Sequence, residues 1–228
     1  MTLVEICTDN LKDTVEAIRL GADRIELCSH LGKDGLTPTD ELLDQVIALS
    51  QLHGVSVFPM VRSRSGDLIY SPDEKRIMLQ QAVQFAIKGV PGIVIGALRE
   101  DRRIDLEFVK DIAQAVHMIK PDLEITFHKA IDSVILQENE RQVDVVDSLQ
   151  PYCERVLTSG GRLTALEGAS AIRELIQRKK RPIPLVAGKV REENVQNILA
   201  LTGATEIHSR SPYISRALGK LTRDAVDN

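Results

Sequence analysis

The sequence predicts an α/β protein built as a single (β/α)8 barrel, the TIM barrel fold. Short runs rich in valine, isoleucine and leucine alternate with longer stretches of helical periodicity along the whole chain, which is the βα pattern. Eight such runs in 228 residues leave fewer than 30 residues for each unit, close to the smallest closed barrels. The first run is followed by Thr8-Asp9-Asn10, whereas a doubly wound open sheet usually has a glycine-rich turn there. The barrel is therefore the preferred fold.

Eight strands are expected, each a short apolar run bounded by turn-forming or charged residues. In chain order they are Leu3–Cys7, Asp23–Cys28, Val55–Val61, Gly92–Gly96, Leu123–Phe127, Arg155–Thr158, Ile183–Ala187 and Thr205–His208. The barrel is expected to span residues 1–212 as one domain. Residues 213–228 are expected to form a C-terminal tail that is partly helical.

Helices are expected between the strands, and several of them have readable starts. Ser71-Pro72-Asp73-Glu74 has the pattern of a capping box with proline at the first helical position. Thr37-Pro38-Thr39-Asp40 is similar, and Asp105 is placed to cap the helix that begins at Leu106. These starts agree with the alternation of strands and helices.

Composition narrows the class of protein. The net charge of −4 and the pI near 5.8 provide no extended positive field, which argues against a nucleic-acid binder. Glu5 and Asp9 interrupt the start of the chain, and no apolar run reaches the roughly 18 residues of a membrane span. The three cysteines are too few for a disulfide framework. A cytosolic protein without a membrane or nucleic-acid partner is expected.

Side chains alternate along a strand, so parity predicts which residues face the barrel interior. The inward set combines charged, sulfur-containing and imidazole side chains: Glu5, Cys7, Arg24, Glu26, Cys28, Met60, Arg62, Thr126, His128, Arg155, Leu157, Ser159, Glu206 and His208. Active sites of these barrels gather at the carboxyl ends of the strands. Cys7, Cys28, Arg62, His128 and His208 are therefore expected at one mouth, which basic loop residues are expected to make electropositive.

Four of the inward charges allow two interpretations. Arg24, Glu26, Arg155 and Glu206 either form a buried ion-pair network without chemistry or belong to a functional site, because buried charges need partners in both cases. His128 and His208 favour the functional interpretation because both lie at strand ends. His30, in a loop after Cys28, is ambiguous.

Several motifs resemble those of the CutC family, which is named for copper homeostasis. The matching segments are Ala22–Cys28, Gly35–Thr39, Met60–Asp67, Gly92–Leu98, Ile125–Asp132, Val156–Gly160 and Glu206–Ser209. The resemblance covers residues 1 to about 212. It implies a cytosolic (β/α)8 barrel that handles copper and self-associates, with a homodimer expected.

Three segments depart from the family pattern. The family has Arg-Pro-Arg where this chain has Arg62-Ser63-Arg64, and His-Arg-Ala-Phe-Asp where it has His128-Lys129-Ala130-Ile131-Asp132. The family's glycine run after the seventh strand is replaced by Ala187-Gly188-Lys189-Val190. Because such glycines expose the backbone N–H groups of a barrel phosphate site, the change weakens a phosphate interpretation, although Lys189 can supply a point charge.

The first functional hypothesis is a metal-binding protein. Cys7 and Cys28 end neighbouring parallel strands with the same parity, and such strands lie about 4.8 Å apart. Two soft thiolates select Cu(I), with zinc as the main rival, and His30 is a candidate additional ligand. The alternative is that both cysteines only pack the barrel.

The second hypothesis is an enzyme acting by acid/base chemistry on a small anionic substrate that carries carboxylate or phosphate. Its candidate acid, base and orienting groups are Glu26, His128, Asp132 and His208. Its candidate substrate-binding residues are Arg62, Arg64, Lys129, Ser159 and Lys189. The sequence leaves open whether the protein is an enzyme.

Overall fold

The computed structural model describes residues 2–134, 136, 138 and 140–220. Its strands are β1 Leu3–Thr8, β2 Arg24–Leu27, β3 Ser56–Pro59, β4 Gly92–Ile95, β5 Glu124–Phe127, β6 Arg155–Thr158, β7 Ile183–Val186 and β8 Glu206–Ser209. Its helices are α1 Leu11–Arg19, α2 Asp40–His53, α3 Pro72–Ile87, α4 Leu106–Ile119, α5 Gln142–Asp147, α6 Ala169–Gln177, α7 Val195–Thr202 and α8 Ile214–Ala217. Short 3-10 turns cover Leu31–Lys33 and Lys129–Ser133.

The eight strands form one parallel sheet in the order β3-β2-β1-β8-β7-β6-β5-β4. The seam between the two end strands is closed by a parallel bridge from Met60 to Val94, where Val61 N–H donates to the Val94 carbonyl at 2.8 Å. The predicted single-domain barrel is confirmed. The strand positions agree within a few residues, and the largest difference is the third strand, which is three residues shorter than the expected Val55–Val61.

The alternation of side chains in the strands follows the predicted parity. Outward residues pack under the helices in one large core that includes Val4, Ile6, Ile25, Leu27, Ile93, Ile125, Val156 and Ile207. The barrel interior has a separate apolar cluster of Cys7, Cys28, Phe58, Met60 and Val94. The interior therefore keeps its charged groups apart from the main hydrophobic core.

The predicted helix starts at Ser71 and Asp105 are found, whereas α2 begins at Asp40 after the cap residue Thr39, so Pro38 is not its first helical residue. Ser71 and Glu74 form the reciprocal capping box of α3. Thr39 caps α2 by accepting from Leu42 N–H at 3.3 Å, and Asp105 caps α4 by accepting from Phe108 N–H at 3.2 Å. Each cap satisfies backbone donors that the first helical turn leaves free.

A network of charged side chains fills the barrel interior toward the amino-terminal ends of the strands. Arg24 pairs with Glu5 and, at 2.8 Å, with Glu206. Arg155 pairs with the same Glu206 at 2.8 Å and with Glu124 at 2.6 Å. Arg24, Arg155 and Glu206 thus belong to a structural network. Glu26, the fourth charge with two interpretations, lies outside this network and contacts Cys7.

The segment after β8 contains a single turn of helix within the described residues. This turn is α8, and its first residue, Ile214, is fully buried in the main core. Lys220 closes the described chain with a 2.6 Å ion pair to Asp23. Residues 221–228, the rest of the predicted tail, lie outside the described residues.

Candidate functional site

A cavity of about 830 Å³ opens at the carboxyl ends of the strands. Cys7, Glu26 and His208, which line it, come from β1, β2 and β8, three neighbouring strands. The volume lies within the range of small-molecule sites in proteins. The cavity therefore lies at the end of the barrel where the strand-end rule predicts a site.

The cavity gathers most of the predicted site residues, but not all of them. Those that line it are Cys7, Glu26, Arg62, His128, Lys129, Asp132 and His208. Those outside its lining are Cys28, Arg64, Ser159 and Lys189. The ambiguous His30 is also outside the lining and exposed.

The two cysteines of the predicted metal site lie together. Their Sγ atoms are 3.8 Å apart, and the Cys7 thiol donates to Glu26 Oε1 at 3.1 Å. Cys28 is fully buried behind Cys7 and donates to the Thr8 carbonyl at 3.5 Å. The hydrogen bond to Cys28, burial and the nearby Glu26 raise the pKa of the Cys7 thiol well above its ordinary value. Cys7 is therefore a protonated thiol beside a second free thiol.

His208 is held by a buried carboxylate that the sequence placed inward but did not assign to the site. Its Nδ1 bonds Glu5 Oε1 at 2.7 Å and lies 4.0 Å from Glu26 Oε2. Burial alone lowers the pKa of His208, but Glu26 and Glu5 outweigh burial and raise it. Burial raises the pKa of Glu26 despite the opposing charge of His208. His208, Glu26 and Glu5 thus influence one another's protonation inside the barrel.

Arg62 and His128 form a second pair on the cavity wall. Arg62 donates to the carbonyl oxygens of Asp34 at 2.9 Å and Gly66 at 3.2 Å. Burial and the positive charge of Arg62 lower the pKa of His128 to about 3. His128 Nδ1 accepts from Ala130 N–H at 3.1 Å, so the proton of the neutral ring lies on Nε2.

Asp132 holds the loop after β6, although it was predicted as an acid/base group. Its carboxylate accepts from Thr158 Oγ1 at 2.6 Å and, at 2.9 Å each, from Ser159 N–H, Ser159 Oγ and Gly161 N–H. Lys129 Nζ lies 3.2 Å from the same carboxylate and donates to Ser159 Oγ at 2.7 Å. The backbone amides that could cradle a phosphate after this strand are therefore occupied by the protein's own carboxylate.

Arg64 and Lys189, the remaining two predicted substrate-binding residues, lie outside the cavity lining. Arg64 pairs with Glu74 at 2.5 Å and Asp67 at 2.9 Å, and it donates to the Ile69 carbonyl at 2.7 Å. Lys189 is exposed and has a left-handed backbone with φ of 52°. Neither residue lines the cavity, which removes two of the basic groups expected there.

Charges around the cavity are balanced instead of uniformly positive. The basic side chains in its lining are Arg62, Lys129, Arg162 and Arg210, and the acidic ones are Glu26, Asp34, Asp132 and Glu167. The electropositive mouth expected from the sequence is therefore not found. Arg162 and Arg210 were missed, although each closely follows a strand end and the rule that selected Arg62 could have selected them.

Replacing Gly96 with alanine is expected to displace His128 and destabilise the fold by about 1–3 kcal/mol, the usual effect of overpacking. The imidazole lies directly on Gly96, where a Cβ would be 2.7 Å from Nε2 and nearer to other ring atoms. Gly32→Ala is the control, because a Cβ at Gly32 meets nothing within 4 Å. Urea unfolding of both variants measures the difference. Equal stability of the two variants would contradict the predicted contact.

None of the helices in the described ranges combines the length and apolar character needed to cross a lipid bilayer.

Comparisons with known proteins agree on one family. The model of the CutC family matches residues 2–212. A human protein named copper homeostasis protein cutC homolog is 39% identical over 207 residues, which is 90% of this chain and 72% of the relative. A family protein CutC from Vibrio atlanticus is 35% identical over 208 residues, covering 91% of this chain and 81% of the relative.

One solved structure supports the same family assignment, and a second shares only the fold. A protein from Streptococcus agalactiae assigned to copper homeostasis as CutC superposes with a TM-score of 0.85 at 27% identity, covering 93% of this chain and all of that one. A dihydrodipicolinate synthase from Bacillus anthracis reaches 0.65 at 14% identity, covering 96% of this chain and 73% of that one, and shares the fold alone. The family resemblance seen in the motifs is confirmed over nearly the whole chain: this protein belongs to the CutC family.

Proposed function

We propose that this protein serves copper homeostasis by binding Cu(I) between the thiolates of Cys7 and Cys28. The observation that carries the proposal is the 3.8 Å separation of the two Sγ atoms. Soft thiolate ligands select Cu(I) over harder cations. The family assignment and the names of the human and Streptococcus agalactiae relatives support copper as the ion.

The sulfur separation also indicates the shape of the complex. Two metal–sulfur bonds of about 2.3 Å at a tetrahedral angle place the sulfurs about 3.8 Å apart, whereas a linear arrangement places them about 4.6 Å apart. The observed 3.8 Å fits the bent geometry without movement of either strand.

Thiol protonation sets a condition for binding. A metal binds the thiolate and must displace the thiol proton. Because the pKa of Cys7 is raised, proton release accompanies metal binding and affinity increases with pH. The described cysteines are all free thiols, which fits the reducing cytosolic compartment that we propose for the protein.

Cu(I) affinity is expected to depend on both Cys7 and Cys28. Competition with a chromogenic Cu(I) chelator under reducing conditions measures it for the parent, Cys7→Ser and Cys28→Ser. Loss of either ligand should weaken binding by more than the roughly 10–100-fold that loss of a supporting contact costs. Cys153→Ser is the matched control, since Cys153 is also buried but packs in the main outer core. Parent-like affinity in both single variants would place copper elsewhere and sink the proposal.

A further inference from the structure

Three different metal-binding groups converge beside the thiol pair. Cys7, Glu26 and His208 can each offer one ligand atom such that all three atoms lie within 4.8 Å of one another. All three residues line the 830 Å³ cavity, whereas Cys28 lies behind Cys7 and does not. On the cavity side of Cys7 the potential metal ligands are thus Glu26 and His208, whereas behind it the potential ligand is Cys28.

Glu26 provides an independent observation that points to a cation in this group. The residue is only 3% exposed, and its Oε2 is buried without a hydrogen-bond partner among the described residues. A buried carboxylate oxygen without a partner is energetically unfavourable and is normally satisfied by a donor or a cation. Its neighbours Cys7 and His208 are themselves metal-ligating residue types, so a cation satisfies all three groups at once.

A supporting contact holds His208 in the manner usual for metal ligands. Its Nδ1 bonds the fully buried Glu5 at 2.7 Å, and Glu5 is in turn held by Arg24. Histidine ligands almost always donate one ring N–H to a carboxylate or carbonyl, which fixes the tautomer and leaves the other nitrogen for the metal. The chain Arg24–Glu5–His208 therefore engages Nδ1 and leaves Nε2 as the nitrogen that is free to bind a metal.

We propose that Cys7, Glu26 and His208 form a binding site for a divalent cation of the zinc type, separate in ligand set from the Cu(I) site. One thiolate, one carboxylate and one imidazole make a mixed donor set that suits zinc better than Cu(I). Three protein ligands leave the fourth tetrahedral position open toward the cavity. A water molecule or an oxygen of a small carboxylate or phosphate would bind there. Because Cys7 belongs to both sites, the two ions exclude each other.

Two sets of variants separate the two sites. Zinc affinity is measured by competition with a chromogenic zinc chelator, and Cu(I) affinity by the copper competition described above. Glu26→Gln and His208→Asn are expected to weaken zinc binding by at least about 10–100-fold while changing Cu(I) binding by less than tenfold. Cys28→Ser is expected to show the reverse, and Cys7→Ser is expected to lose both ions. Cys153→Ser is expected to bind both ions like the parent.

Cobalt(II) tests the proposed site in the parent protein, so this experiment does not depend on whether any variant folds. A tetrahedral site with one thiolate ligand should give a sulfur-to-cobalt charge-transfer band and visible absorption, both lost on addition of zinc. An octahedral cobalt spectrum, or zinc affinity as strong in Glu26→Gln and His208→Asn as in the parent, overturns the proposal. Equal loss of zinc in Cys28→Ser and Glu26→Gln overturns it as well, because a two-cysteine zinc site then explains binding. Failure of copper binding alone leaves these zinc outcomes unaffected.

Discussion

Replacing Arg24 with methionine is expected to lower the free energy of unfolding by about 3–5 kcal/mol, the usual loss when one partner of a buried ion network is removed. Arg24 is 2% exposed and neutralises two carboxylates, Glu5 and Glu206. Its guanidinium also lies 4.9 Å from the centre of the Phe58 ring. Methionine keeps much of the packing against that ring but removes the guanidinium from two buried carboxylates, which leaves Glu5 with His208 and Glu206 with Arg155 as their remaining ion-pair partners.

Chemical denaturation of the parent and Arg24→Met measures this loss. Arg19→Met is the matched control, because Arg19 also pairs with a glutamate, Glu16, but does so on the surface with 43% of its side chain exposed. Exposed pairs contribute little, so the control should remain close to the parent. A small effect of Arg24→Met, comparable with that of Arg19→Met, would contradict the assigned role of the network.

A double variant tests the cause of the loss. Adding Glu5→Gln to Arg24→Met removes one of the two buried carboxylate charges that have lost Arg24, so part of the lost stability should return. If Arg24→Met does not fold at all, Arg155→Met offers a milder version. Arg155 has 10% of its side chain exposed and shares Glu206 with Arg24, while its other partner, Glu124, is 38% exposed.

The sequence predicts those parts of the fold and site that depend on local rules. A period of two along each strand assigned Cys7, Glu26 and His208 to the barrel interior, and the strand-end rule assigned Cys7 and His208 to one end. Both rules need only the positions of the strands, which the apolar runs mark well. The floor of the cavity was predictable for this reason, even though the link from His208 to Glu5 was not assigned.

Other features depend on contacts that periodicity does not encode. Asp132 reaches 27 residues along the chain to Ser159 N–H, and this pairing is set by the shapes of two loops. Arg62 bonds the carbonyl of Asp34, whose φ of 61° is left-handed. The register pairs Cys7 with Glu26, so Cys28, which follows the last residue of β2, is offset from Cys7 by two residues and does not line the cavity. Loop conformation and strand stagger therefore decided which predicted residues reach the cavity.

His128 is expected to make the protein lose stability as the pH falls below neutral. The pKa of His128 is about 3 in the folded protein and about 6.5 in an unfolded chain. Between these values the unfolded chain binds the extra proton, so the free energy of unfolding increases with pH. The contribution is complete above about pH 6.5 and is lost progressively toward pH 3, with about 2 kcal/mol lost between pH 7 and pH 5.

His128→Asn isolates this contribution from that of the many carboxylates. Asparagine has a side-chain oxygen that can accept from Ala130 N–H as the imidazole does at 3.1 Å, and it does not titrate. The fall in unfolding free energy from pH 7 to pH 5, measured by urea denaturation, should be smaller in the variant by about 2 kcal/mol. Between pH 7 and pH 8.5 the unfolding free energies of the two proteins should change with pH in parallel, because His128 is mostly neutral there in both the folded and the unfolded protein. Parallel curves over the acidic range would show instead that His128 takes up its proton in the folded barrel, which is incompatible with its burial beside Arg62.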